Sequence, residues 1–121
     1  MIAIVYVSLV INVVVAGFWG IVLGFYPRTH FRYGPYGADT TGTRILSSLY
    51  LTIALFSLYA LLIVPSQMFA VCIFLFGFQI VYKLLTVITV CDFRNPVILS
   101  NLAIVLIHSI SLWWICNSEK K

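Results

Sequence analysis

Apolar side chains fall into four long runs, 2–26, 45–64, 68–90 and 97–116, separated by short polar stretches. A hydrocarbon core about 30 Å thick takes about 20 residues of helix. Each run meets that length. None alternates with period two, as the strands of a membrane barrel would. The pattern therefore predicts an all-α, four-transmembrane-helix bundle in a single domain, 1–121. The first run has no basic segment before it and no small-x-small cleavage site, so it reads as a retained span.

The connections refine this picture. "PSQ" at 65–67 and "CDFRNP" at 91–96 are short, which makes the flanking helices antiparallel neighbours. The expected architecture is thus two antiparallel hairpins with minimal extramembrane mass. Pro96 suits the first turn of the fourth helix, where its missing N–H costs nothing. The one long connection, 27–43, is rich in Gly, Pro, Tyr and Thr. In the first span, Gly20 and Gly24 have the small-xxx-small spacing that lets helices approach closely. Trp113 and Trp114 close the fourth span as interface anchors do.

Composition strengthens the membrane reading. Apolar residues make up 63% of the 121 and charged residues only 8%, against about 25% charged in soluble domains. Mean hydropathy is +1.12. The formal net charge is +4, but the basic residues are scattered between spans and form no basic face. Nucleic acid is excluded as a partner; membrane lipids and other integral membrane subunits are the expected ones. Arg28, Arg32, Arg44 and Arg94 lie on the side of the 27–44 and 91–96 connections. Lys120 and Lys121 lie on the other. That imbalance points the arginine-rich side to the cytoplasm. Cys72, Cys91 and Cys116 form no CxxC pair, and neither a disulfide framework nor a metal site is expected.

Polar residues inside the spans are the candidate chemistry. Gln79 and Lys83 are four apart and share a helix face. Lys83 is seven residues, or about 10 Å, from the end of its span. Its ammonium is expected to lean toward the 27–43 side and meet a lipid headgroup or a carboxylate there. Asp92 is the first candidate and Asp39 the second, in a cluster with Arg44 and Arg94. Asn101 and His108 share a face of the fourth span. His108 is expected to bond across a helix interface, with haem, a chlorophyll-type pigment or a quinone as the alternative contact. No cofactor is otherwise predicted. The spans contain no acidic residue, hence no catalytic triad, no paired carboxylates and no glutamate of the kind small multidrug transporters use. The chain is not expected to be an enzyme.

The segments "GIVLGFYP", "RILSSLYL" and "DFRNPV" resemble those of the small four-helix DoxX-like membrane proteins, over most of the chain. The resemblance implies a four-helix fold and carries no functional residue across. The function expected from sequence is a non-catalytic accessory or scaffold subunit of a larger membrane complex, with an energy-transducing complex as one such assembly. A binder of lipid, quinone or pigment is the alternative, and a small transporter the second alternative.

Overall fold

The computed structural model describes residues 2–26, 28–63 and 65–118. Four helices in it are long and apolar enough to cross a membrane, which fits a multi-pass integral membrane protein. The first span is built from α1 (Ile2–Ile11), a π-helical turn (Asn12–Ala16) and α2 (Gly17–Phe25). After a 3-10 turn at His30–Arg32 comes the short α3 (Tyr33–Tyr36). Then follow α4 (Thr41–Leu62), α5 (Pro65–Val90) and α6 (Pro96–Ser118). No strand occurs among the described residues.

Sequence neighbours pack side by side. The first span lies against α4, α4 against α5, α5 against α6, and α6 returns to α1. Within the first span the two halves part company. α1 leans mainly on α6 and α2 mainly on α4, with the π turn between them. The close approach of α2 to α4 rests on Gly20 and Gly24. The Ser47 hydroxyl donates to the Gly20 carbonyl at 2.6 Å. A Cβ on Gly24 would collide with that hydroxyl, and one on Gly20 would meet Leu51 Cγ at 2.8 Å.

Helix boundaries differ from the hydropathy reading in two informative places. α4 begins at Thr41 rather than 45. Thr40 caps it: its hydroxyl accepts from the Thr43 N–H, and the Thr43 hydroxyl accepts from the Thr40 N–H. Polar cap residues are invisible to a search for apolar runs. "PSQ" is not a turn but the start of α5, because Pro65 suits a first helical turn. At its other end α5 stops at Cys91, whose φ of 51° is the left-handed conformation that terminates helices. The terminal residues Glu119, Lys120 and Lys121 lie outside the described residues.

The bundle is inside-out relative to a soluble one. Its buried stripes carry the polar groups, because lipid solvates apolar side chains as well as the protein does. In α5 the stripe is Met68, Cys72, Phe76, Gln79 and Lys83; in α6 it is Ile98, Asn101, His108, Ser111 and Ile115. Large apolar side chains such as Phe74, Leu62 and Leu55 point outward. The half nearer the α4–α5 turn is filled by Val5, Leu9, Ala60, Met68, Cys72, Phe76 and Ile115. One polar pair, Ser8 and Ser111, is set within this half, and further polar layers follow toward the other end.

Candidate functional site

Three polar layers cross the bundle in order of depth. The deepest joins Ser8 and Ser111 at 2.7 Å. Ser111 Oγ also lies 3.1 Å from the carbonyls of Ile4 and Ile107, either of which can accept its proton. Next, His108 Nε2 lies 3.0 Å from Asn12 Oδ1. In the Nε2–H tautomer the ring donates to that oxygen and leaves Asn12 Nδ2 with no partner. Asn12 opens the π turn, and such insertions re-aim side chains at functional sites. In the third layer, the Lys83 ammonium donates to Asn101 Oδ1 at 3.1 Å. Lys83 is 6% exposed.

Above this layer lies a cavity of about 120 Å³. Asn12, Gln79, Lys83 and Asn101 line its polar part, and Trp19, Tyr36 and Tyr50 its aromatic part. Its volume approaches that of cavities that hold one benzene-sized molecule, about 150 Å³. α3 forms the roof. Tyr36 bonds to the Tyr50 hydroxyl at 3.0 Å and packs on Trp19, ring centroids 4.8 Å apart. Asn95, in the α5–α6 turn, donates to the Pro35 carbonyl at 2.9 Å and ties the roof to the helix ends. Burial beneath the roof raises the Tyr36 phenol above its ordinary range, so it stays neutral. The cavity reaches the surface sideways. Val15 of the first span and Pro96 and Ser100 of α6 all line it and all are exposed. The opening follows from the parting of α2 from α6 described above.

The expected ionic cluster divides into separate parts. Asp39 accepts two bonds from Arg44, at 2.9 and 2.7 Å. It also lies 3.9 Å from Arg32, which is fully buried. Arg32 further donates to the Ala38 carbonyl and to Thr43 Oγ1. This group closes the loop onto the start of α4. Asp92 accepts instead from the Arg94 backbone N–H, at 3.1 Å, in an exposed turn. Neither carboxylate meets Lys83. The carboxylate pairing expected for Lys83 is thus replaced by an amide, because Asn101 sits directly across the α5–α6 interface. Nor does the ammonium snorkel to the surface: Lys83 is buried, and its Nζ lies 5.1 Å from the Tyr82 ring centroid.

His108 is fully buried, stacked on Phe76 at 4.7 Å, and does not line the cavity. Its Nε2 is engaged by Asn12, and its Nδ1 is buried with no hydrogen-bond partner. Among the described residues no cluster of His, Cys, Asp and Glu could hold a metal. Sequence reasoning missed Asn12, Arg32, Tyr36 and Tyr50. Asn12 carried a usable signal, being the one side-chain amide in the first apolar run. Comparison with protein-family models, curated proteins and solved structures gave no match.

Proposed function

We propose that this chain is a non-catalytic membrane protein that binds the polar end of an amphiphile in the cavity beneath α3. One observation carries the reading: a mostly apolar cavity with one polar patch, Asn12, Gln79, Lys83 and Asn101, that opens sideways beside the exposed Val15, Pro96 and Ser100. The volume suits a head and not a whole lipid, so the chain of the ligand would lie in the opening along Val15 and Ser100. The cavity is blind. The apolar cluster around Leu9, Met68 and Phe76 fills the other half of the bundle, which disfavours a transport path. A role as accessory subunit of a larger membrane complex is compatible with this binding, since the lipid-facing surface stays free for partners. Kinship with DoxX-like proteins belongs to the same proposal and adds no site residue. The arginine-rich end that carries the roof faces the cytoplasm in this reading; reagent accessibility of a cysteine placed at Thr41 from the cytoplasmic side tests it.

Trp19 lines the cavity, whereas Trp113 and Trp114 lie near the far end of α6. A Trp113→Phe, Trp114→Phe background makes Trp19 the sole reporter. In phosphatidylcholine nanodiscs, dibrominated stearate and dibrominated stearyl alcohol are added in turn. Saturable quenching by at least one of them, lost in Ala16→Phe, is the expected result. Quenching that rises linearly for both and ignores Ala16→Phe would overturn the reading.

A further inference from the structure

We infer that the ligand carries a compact anion, a carboxylate or a phosphate monoester, and that Lys83, Gln79 and Asn12 receive it. This deepens the amphiphile reading and rests on it. The argument begins with donors that lack acceptors. Gln79 is 1% exposed and Asn12 2% exposed, and both line the cavity. Gln79 Nε2 and Asn12 Nδ2 are buried with no hydrogen-bond partner. Lys83 offers three N–H bonds, and one protein acceptor is in place, Asn101 Oδ1. Buried polar groups are ordinarily satisfied, and a buried charge needs a counter-charge or several dipoles.

The sign of the missing partner follows from the charges nearby. Of the chain's three acidic residues, Asp39 and Asp92 lie among the described residues. Asp39 is engaged by Arg44 and Arg32, and Asp92 is held in its own turn. Neither reaches the cavity. A neutral acceptor such as a quinone carbonyl or an ester would satisfy one amide but leave the ammonium uncompensated. A terminal anion offers several lone pairs at once, so it can accept from the ammonium and from both amides. Charge-assisted bonds of this kind are about twice as strong as neutral ones. The lateral opening selects an anion that arrives on an acyl chain over one that arrives from water. The free carboxylate of a fatty acid and the phosphate of a lysophosphatidate share this chemistry.

The same Trp19 reporter tests the inference. Dibrominated stearate, dibrominated lysophosphatidate and dibrominated stearyl alcohol are titrated into the wild-type cavity. One or both anions should bind about tenfold or more tightly than the alcohol. The tighter of the two identifies the source of the anion. Lys83→Met should remove that preference and Lys83→Arg should retain part of it. Gln79→Leu should narrow it, with circular dichroism confirming that each variant is folded. Saturable binding with equal affinity for alcohol and anions would overturn the anion assignment and leave the amphiphile reading standing. An anion preference that survives Lys83→Met would remove Lys83 from the site. Linear quenching by every probe would sink both proposals.

Discussion

The Lys83 ammonium is held by an amide and not by a carboxylate, through its 3.1 Å bond to Asn101 Oδ1. That difference changes what removing the charge should do. A buried ion pair that loses one partner destabilises by about 3–5 kcal/mol, because a charge is stranded. Here Lys83→Met leaves only an amide oxygen unpaired, at a cost of about 1–3 kcal/mol. It also relieves the burial of a lysine within a span, which costs about 2.5–3.5 kcal/mol at the bilayer centre. Lys83→Met in delipidated protein should therefore cost at most about 0.5 kcal/mol and can stabilise by up to about 2.5 kcal/mol. Reversible unfolding in mixed micelles measures it. A loss as large as the ion-pair value would mean that a carboxylate reaches this site after all.

A second test addresses the α2–α4 contact. Gly24→Ala places a methyl against the Ser47 hydroxyl, which must turn away and surrender its bond to the Gly20 carbonyl. Overpacking of this kind costs about 1–3 kcal/mol. Ser47→Ala in the same background removes the collision, although Ser47 Cβ stays 3.3 Å from the added carbon. Part of the loss should return, and a double-mutant cycle should show coupling between the two positions. Additive losses would mean that α2 and α4 do not approach through this pair.

The four spans were legible because length and hydropathy report a membrane crossing directly. The inward faces were not. In a soluble helix the apolar stripe marks the core, but here Phe74 and Leu62 face outward and are as apolar as Phe76 and Met68, which face inward. Only the polar positions break the symmetry, and Gln79, Lys83, Asn101 and His108 all fall on buried stripes. Partner choice was harder still. Reasoning from charge directed Lys83 to Asp92 or Asp39, whereas the nearer acceptor was an uncharged amide on the adjacent helix. The cavity itself was not readable, since its roof depends on Tyr36 meeting Tyr50 and on Asn95 meeting Pro35, contacts between distant segments.

Cys91 gives a test of local backbone strain. Its φ of 51° ends α5, and its N–H still donates to the Val87 carbonyl at 3.1 Å. A side chain with a Cβ costs roughly 1–2 kcal/mol in this conformation, and glycine avoids that cost. Cys91 is exposed and forms no disulfide, so no packing is lost on substitution. Cys91→Gly should stabilise by up to about 1 kcal/mol after the added unfolded-state entropy is counted. Cys91→Val, branched at Cβ, should destabilise. Equal stability of the two variants in thermal unfolding would contradict the left-handed assignment.

The loop closure should depend on pH through Asp39. Hydrogen bonds from Arg44 hold its carboxyl below the ordinary range, and the charges of Arg44 and Arg32 add to the effect. A carboxyl whose folded value is depressed contributes stability above its unfolded value, about 3.9. That contribution is lost as pH falls through the lower, folded value. Acidification below about pH 4 should thus loosen the loop around Arg32 while the spans stay helical. Trp19 reports the change, because it packs on Phe31 at 5.9 Å and on Tyr36 at 4.8 Å, both in the loop. In the Trp113→Phe, Trp114→Phe background its emission should shift on acidification, whereas Asp39→Asn should show the loosened signal at neutral pH and no acid transition. High salt should weaken the exposed Arg44 contact and move the wild-type signal toward that of Asp39→Asn. Parallel acid titrations of wild type and Asp39→Asn would show that another group controls the roof.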